Sequence, residues 1–582
     1  MKQSSLRRRR LIDSAAMMLT GTAIFLAHAE IALGNCVPFS GTITVSSNFP
    51  CDIPGGASNA ALDDAAKFAW QEFIALNWPA KIEKGTAFKR ETPDDTLLFG
   101  DPKNTGPLVW HTYRGKVEIY PGEGMPPGYK NSGAGDYGYD ALPQYVYGAG
   151  EIKPASGIAT PSDQTPWVNL DENSQIFVNQ IFAGTASSVT DSPKNQILFM
   201  AKANRKEYSY IAANKWWGEK MPPFMETMNY IKNHVMDPPE ASSDYVSFPT
   251  NTVEIKAAWR KLGENDNPSH YYQTTVRYYV KGSDGITKYK DEKLALIGMH
   301  IIHKTATAPY FTYATFEHAG NILDANGNPV EGLHGSGTGD TKPSPMNPAI
   351  FSFNAKGKLY QTFNQIPDTD FPGNPGKQLY YQNTPDTGIP TKGYPGNNQE
   401  LSNIIVNRRI NPIPKDIVDV NRQAYLTIIT YAAKYSKTGE TPLRYYRLTN
   451  VQYKPIDKPD YGVDYNGTDA ATYYQSNSVI ETDYNLQRFS GRFYAKFESN
   501  DPHKFTVTDF DESGKKFQNV AYNGTLSNMG GCMGCHGNIQ KFGAGFSFIL
   551  KNGRVAAPEA ANVPVTPEQV ARFAKYFSAP TK

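Results

Sequence analysis

LALIGMHIIHK, the stretch from Leu294 to Lys304, belongs to a group of four segments that are rich in β-branched and aromatic residues. The other three are TVEIKAAWRKL at Thr252–Leu262, HYYQTTVRYY at His270–Tyr279 and YFTYATF at Tyr310–Phe316. Residues of these types favour strands, and turn residues such as GSDG at 282–285 lie between neighbouring segments. We therefore predict that the four segments are consecutive antiparallel strands that form the main core.

Helices are predicted on both sides of this β-rich region. From Leu62 to Leu76, apolar residues recur at alternating spacings of four and three residues, which is typical of an amphipathic helix, here placed at Asp63–Trp78. Further helices are predicted at Gln175–Ala183, Gln196–Met200, Pro223–His234, Asp416–Lys434 and from Thr566 onward, further strands at Leu108–Tyr113, Lys116–Tyr120 and Arg444–Tyr453, and long loops over 322–400. This order indicates an α+β fold with a β-rich antiparallel main domain and peripheral helices.

The composition is that of a globular protein. Apolar residues make up 39% and charged residues 20% of the 582 residues, which is an ordinary balance for a folded chain. Lysine and arginine total 58 against 56 acidic residues, and the resulting net charge of +2 gives no reason to expect a nucleic-acid partner.

The N-terminus has the features of a secretory signal peptide. A basic region from Lys2 to Arg10 precedes an apolar stretch from Ala15 to Ala27, and Ala27-His28-Ala29 fits a cleavage site. The arginine run also fits a twin-arginine signal, but that route carries folded cargo, so we favour the general secretory route and a periplasmic location. Since no other apolar run is long enough to span a bilayer, we expect no transmembrane segment in the mature chain.

The motif that carries chemistry is Cys532-Met533-Gly534-Cys535-His536. Cys-x-x-Cys-His is the attachment motif of c-type haem, in which both thiols form thioethers and the histidine binds the iron as the proximal ligand. A zinc site is disfavoured because no second pair of ligands follows, and a thioredoxin-type dithiol is expected early in a βαβ unit rather than near the C-terminus. We therefore predict one covalent haem c.

The other two cysteines are Cys36 and Cys51. In an exported protein we expect them to form a disulfide, with two buried thiols as the alternative. The predicted organisation is thus a signal peptide at 1–29, a disulfide-containing segment at 30–60, an α+β main domain at 61–500 and a haem c segment at 501–582 packed against that domain.

The second axial ligand of the iron is not evident from the motif. The 46 residues after His536 contain neither Met nor His, so a self-contained cytochrome c domain with such a ligand is excluded there. Either the upstream domain supplies the ligand or the iron is five-coordinate. We rank His318 and His300 first. The remaining candidates are His111, His234, His270, His303, His334, His503, Met299 and Met346, with Met529 and Met533 disfavoured because they lie too close to the motif.

His300 and His303 could in principle share a metal, since histidines three residues apart can chelate on a helix. Their segment has strand composition, however, and residues three apart on a strand point to opposite faces of a sheet. We therefore expect no shared metal, and at least one of the two side chains in the core or against a cofactor.

Several blocks together resemble a group of bacterial periplasmic single-haem proteins described as the cytochrome c family. They are FAWQEFIALNWP at Phe68–Pro79, VEIKAAW at Val253–Trp259, Ile297–His300 with Thr315–His318, NSVIET at Asn477–Thr482, and Cys532–His536. The resemblance implies haem binding and electron transfer without a defined substrate.

Three functions remain open at this stage. The first is electron transfer by a six-coordinate haem to or from a periplasmic redox partner. The second is a haem-dependent peroxidase or oxygenase with an open iron site, in which Glu317 and His318 would be the distal acid and base and the small-molecule substrate is unknown. The third is a sensor or binding module whose aromatic residues hold a ligand.

Overall fold

The computed structural model describes the following parts of the 582-residue chain: 36–83, 88–130, 135–155, 165–173, 181–184, 196–234, 237–263, 266–321, 328–329, 331–335, 350–353, 359–362, 378–382, 404–406, 413–454, 477–480, 496–497, 505–506, 531–540, 542–551 and 553–561. The predicted signal peptide and the predicted helix from Thr566 onward lie outside these residues.

The described strands are β1 (Cys36–Val37), β2 (Phe49–Pro50), β3 (Arg114–Gly115), β4 (Val168–Leu170), β5 (Ile181–Gly184), β6 (Leu198–Ala203), β7 (Val253–Arg260), β8 (Gln273–Lys281), β9 (Thr287–His303), β10 (Thr312–His318), β11 (Ile350–Phe353), β12 (Leu359–Thr362), β13 (Gln378–Gln382), β14 (Ile404–Val406), β15 (Tyr446–Gln452), β16 (Lys496–Phe497) and β17 (Phe505–Thr506). The described α-helices are α1 (Leu62–Leu76), α2 (Lys116–Ile119), α3 (Arg205–Ala213), α4 (Phe224–His234), α5 (Lys415–Ala432), α6 (Gly531–Gln540) and α7 (Phe548–Lys551). Short 3-10 helices occupy Val109–Thr112, Pro268–His270, Ala319–Asn321 and Pro442–Tyr445.

The protein is a mixed α+β structure built on one large sheet. Its strand order is β15-β10-β9-β7-β6-β3, with β8 paired to β9 and β4 paired to β8. Ala295 of β9 pairs with Arg260 of β7 and also with Gln273 of β8, so β8 and β7 lie on opposite edges of β9. Beyond β4, the Glu172 N–H donates to the Phe199 carbonyl of β6 at 3.4 Å, and the sheet therefore nearly closes on itself.

Long periodic segments were predicted correctly. The four segments of the predicted core sheet are β7 to β10, and α1, α4, α5 and β15 confirm the predictions at 63–78, 223–234, 416–434 and 444–453. One feature of the sheet was wrong, because β7 pairs with β9 rather than with its sequence neighbour β8. The long central strand β9 pairs with β7 along one edge. Along its other edge it pairs with β8 through its first half and with β10 through its second half.

Two segments predicted as strands are helical instead. The segment 108–113 contains the 3-10 helix Val109–Thr112, and 116–120 contains α2. In α2 the Glu118 carboxylate accepts a hydrogen bond from the Gly115 N–H at 2.9 Å, which stabilises a turn over an extended backbone.

Two segments predicted as helices are strands instead. The end of the predicted helix at 175–183 is β5, its first residues 175–180 lying outside the described part, and 196–200 is the start of β6. Strand β6 lies between β3 and β7 with five of its six residues buried. A strand that is apolar on both faces shows no alternation, so its sequence does not distinguish it from a helix. The predicted loop region 322–400 contains β11, β12 and β13.

The sheet is covered on both faces. Helix α1 covers one face, where the Phe73 ring stacks on Phe316 of β10 at 4.5 Å. On the other face the segment 477–480 lies directly on the backbone, since a Cβ atom at Gly298 would come within 2.6 Å of the Val479 side chain. The Asn477 amide fixes this segment by donating to the Phe316 carbonyl at 2.7 Å. Among the described helices, none has the length and apolar character needed to cross a membrane.

Candidate haem-binding site

Helix α6 carries the Cys-x-x-Cys-His motif and lies against the end of the sheet. The Met533 N–H donates to the Gln452 side chain of β15 at 2.9 Å, and the Met533 side chain is completely buried in the main core. Positions 535 and 536 follow position 532 by three and four residues, so all three lie on one side of the helix. The Cys532 side chain is half-buried and packs against the same core.

His536 is held in an orientation suited to a metal ligand. Its Nδ1–H donates to the Phe546 carbonyl at 2.7 Å, and its ring contacts Tyr313 of β10, with the ring centres 4.6 Å apart. Because the proton is on Nδ1, the lone pair of the neutral ring is on Nε2. Burial lowers the pKa of His536 to about 3, with a further lowering from the charges of His300 and Lys256, so the ring is neutral at pH 7.

Phe546, whose carbonyl accepts the hydrogen bond from His536, lies in a tight turn after α6. Phe546 has a φ of 66°, which is unusual for a bulky residue, and Gly543 and Gly545 in the same turn have φ values of 75° and 62°. A side chain at Gly543 would be 2.1 Å from the Phe224 carbonyl, so this glycine lets the turn approach α4. The strained backbone at Phe546 directs its carbonyl toward His536. Such strain is often found at functional sites.

His300 lies on the sheet face that His536 contacts. It pairs with Thr315 of β10 on one side and with Lys256 of β7 on the other. Thr315 and Tyr313 share a face because they are two residues apart on one strand. His300 is therefore a diagonal neighbour of Tyr313, which places the two Cα atoms roughly 7–8 Å apart.

His318 lies at the other end of β10. It is five positions after Tyr313, which corresponds to roughly 17 Å along a strand. Its Nε2–H donates to the His270 carbonyl at 3.0 Å, and its Nδ1 accepts from the Gly320 N–H at 3.0 Å. Burial lowers the pKa of His318 to about 3. The structure thus uses both ring nitrogens of His318 in local hydrogen bonds and does not bring it to His536.

Glu317 is part of a buried ion-pair network. The Arg447 guanidinium donates to Glu317 Oε1 at 2.9 Å and also to Glu331, while the Ser478 N–H donates to Glu317 Oε2 at 3.0 Å. Both carboxylate oxygens of Glu317 therefore have donors within the protein.

Two further candidate ligands, His303 and Met299, lie on the opposite face of the sheet, and three others lie outside the described residues. His303 is on the α1 face, where its Nδ1 is 2.6 Å from a Glu72 carboxylate oxygen, so His300 and His303 do face opposite sides of the sheet, as predicted. Met299 is on the same α1 face and accepts a hydrogen bond from Asn77 at 3.8 Å. His503, Met346 and Met529 lie outside the described residues. No group of three or more metal-ligating side chains occurs in the part of the chain that the structure describes.

The predicted disulfide is confirmed, since Cys36 and Cys51 are bonded. The bond closes a loop of 15 residues in front of α1.

Sequence reasoning missed the residues around the motif. It did not identify Tyr313, Phe546 or Phe548, whose ring lies edge-on to His536 at 5.0 Å. The one available signal was the glycine-rich sequence FGAGFSF at 542–548, which indicates a tight turn close to the histidine.

This chain is not matched by any protein-family model, any curated protein or any solved structure. The resemblance to single-haem periplasmic proteins therefore stays a prediction.

Proposed function

We propose that the chain holds one haem c, bound through thioethers to Cys532 and Cys535 with His536 as an axial iron ligand, and that it transfers electrons. The observation that carries the proposal is the hydrogen bond from the Nδ1–H of His536 to the Phe546 carbonyl at 2.7 Å, which leaves Nε2 as the ring atom able to bind a metal. Metal-ligating histidines almost always donate their second ring N–H in this way. A bound haem c supplies one-electron chemistry at its iron.

Electron transfer is favoured over peroxidase or oxygenase activity by the environment of the proposed distal groups. An acid–base catalyst must reach the reacting atoms, and Glu317 and His318 are both held by hydrogen bonds away from His536. Electron transfer needs neither group.

For the second axial position we propose His300 rather than His318. His300 lies on the sheet face that His536 contacts, one cross-strand row from Tyr313, whose ring touches His536. Ile302 and Tyr313, which neighbour it on this face, are buried and would restrict water at the iron.

The signal peptide, the periplasmic location and a redox partner protein are part of the same proposal. Export would bring the chain to the compartment in which the Cys36–Cys51 disulfide persists.

The proposal is tested on the full chain, expressed with its leader in a host that attaches haem c. We expect the purified protein to retain haem after denaturing electrophoresis, to gain the mass of one haem, and to give the alkaline pyridine spectrum of a haem with two thioether bonds. A protein that gains no haem under conditions in which a control cytochrome c is matured would disprove it.

Replacing His300 with Ala should change the absorption spectrum of the haem protein. The wild-type protein is expected to be low-spin and indifferent to carbon monoxide, and H300A high-spin in the ferric form with rapid carbon monoxide binding in the ferrous form. The matched control is His318→Ala, which should keep the wild-type spectrum and lose about 1–3 kcal/mol of stability through its two buried hydrogen bonds. The opposite pattern would assign the ligand to His318.

A further inference from the structure

Two buried carboxyl groups lie close to the proposed haem site and have no role in holding the haem. Glu207 of α3 is completely buried, and Glu254 of β7 is 4% exposed. The backbone brings them together, because Asn204 Oδ1 accepts from the Glu207 N–H at 3.2 Å and from the N–H of Val253, the neighbour of Glu254, at 3.1 Å. A negative charge on one buried carboxyl group opposes ionisation of the other, so the pair favours a state in which one of them carries a proton.

A short chain of contacts connects this pair to His536. The Ser547 hydroxyl donates to Glu207 Oε1 at 3.4 Å. Ser547 follows Phe546, whose carbonyl accepts the hydrogen bond from His536 at 2.7 Å. Glu254 also lies in the same cross-strand row as Ile302 and Tyr313, and the Tyr313 ring contacts His536. Glu207 thus lies beside the turn at Phe546 that holds His536. Glu254 lies on the face of the sheet that His536 contacts.

The described residues around the pair provide little to neutralise a second negative charge. Glu207 Oε2 has no hydrogen-bond donor among the described residues, and the neighbouring Tyr120 hydroxyl is likewise buried without a described partner. Lys116, whose charge lowers the pKa of Glu254, is already paired with Glu172 at 2.5 Å. Lys256 is two residues from Glu254 on the same face of β7, and its charge lowers the pKa of His536.

We propose that Glu207 and Glu254 form a proton-binding site that is coupled to the redox state of the haem. The inference rests on the proposed function. In the oxidised protein the pair shares one proton. When the iron gains one electron from a donor and changes from ferric to ferrous, the pair gains one proton from solvent and both carboxyl groups become neutral.

The physical reason is electrostatic linkage. The added electron removes one positive charge from the haem centre, and inside a protein such a change acts strongly on a neighbouring buried acid. Burial already raises the pKa of Glu254 to about 7 and raises that of Glu207 well above its usual value, so one added charge moves the pair across neutral pH. By reciprocity, proton binding must make reduction of the haem easier, and rising pH must make it harder.

The test is a spectroelectrochemical titration of the holoprotein between about pH 6 and pH 8, the range around the pKa of the pair. The midpoint potential of the wild-type protein should fall by close to 59 mV for each tenfold decrease in proton concentration, as expected for one proton per electron. In Glu254→Gln the slope should disappear, because the remaining Glu207 stays protonated in both redox states. Glu207→Gln keeps the ionisable Glu254 and should retain a slope, which distinguishes the titrating carboxyl group from its neutral partner.

Glu72→Gln is the matched control. Glu72 is equally buried and burial raises its pKa, but it lies on the α1 face of the sheet beside His303, so its variant should keep the wild-type slope. A pH-independent potential in the wild-type protein, or a wild-type slope in Glu254→Gln with an unchanged haem spectrum, would overturn the inference. Either result leaves the haem proposal intact, whereas a chain that binds no haem would refute both.

Discussion

The double variant Cys532→Ser/Cys535→Ser is expected to contain no covalently bound haem. A serine hydroxyl does not form the thioether that joins a thiol to a haem vinyl group, and helix α6 places the two positions one turn apart, so both bonds are lost together. The single variants should retain one bond and give a shifted pyridine spectrum. Haem staining after denaturing electrophoresis and the intact mass of the protein measure these outcomes.

The second cysteine pair provides the matched control. Cys36→Ser/Cys51→Ser should carry the normal amount of haem and lose about 3 kcal/mol of stability in urea, because the disulfide closes a loop of 15 residues. Covalent haem that persists in the α6 double variant would place the attachment elsewhere in the chain and disprove the assignment of the motif.

The elements that sequence predicted well are those with one buried face. Helix α1 buries Ala66, Ala69 and Phe73 along one stripe, and a period near 3.6 residues is visible in its sequence. Strand β6 has no such asymmetry because both of its faces are covered. Its apolar residues favour burial but show no helical or strand periodicity in the sequence. Pairing with β3 and β7 determines that the segment is extended.

The candidate site shows the same limit at the level of single residues. The motif itself was readable because its chemistry is contained in five consecutive positions. The ranking of His318 above His300 could not be decided from sequence, because both lie in the predicted β9–β10 strand pair. Strand register separates the two positions: Tyr313 contacts His536, and His300 is one row away while His318 is at the far end of the strand, which is why we propose His300.

The acidic pair near the site was also hidden from sequence reasoning. Glu207 and Glu254 are 47 positions apart, and each alone reads as an ordinary surface glutamate. Their meeting depends on the packing of α3 against the sheet and on the turn at Phe546, which are tertiary features that no local pattern encodes.

Replacing Arg447 with Met should cost about 3–5 kcal/mol of stability, the usual result of removing one partner of a buried ion pair. Arg447 is 2% exposed and donates to Glu317, Glu331 and the Gly332 carbonyl. The variant leaves two buried carboxylates without their cation. Urea unfolding followed by circular dichroism measures the loss, and Arg447→Met/Glu317→Gln should recover part of it by removing one of those charges.

Arg422→Met is the exposed counterpart on α5. Arg422 approaches Asp419 at 3.5 Å with about half of its side chain in solvent, so its loss should cost less than about 1 kcal/mol. If Arg447→Met were as mild as Arg422→Met, the two glutamates would have to be neutral in the folded protein. Glu317 would then be an available acid rather than a fixed anion, and the peroxidase or oxygenase alternative would regain support. A large loss for Arg447→Met alone keeps Glu317 in its structural role and supports electron transfer.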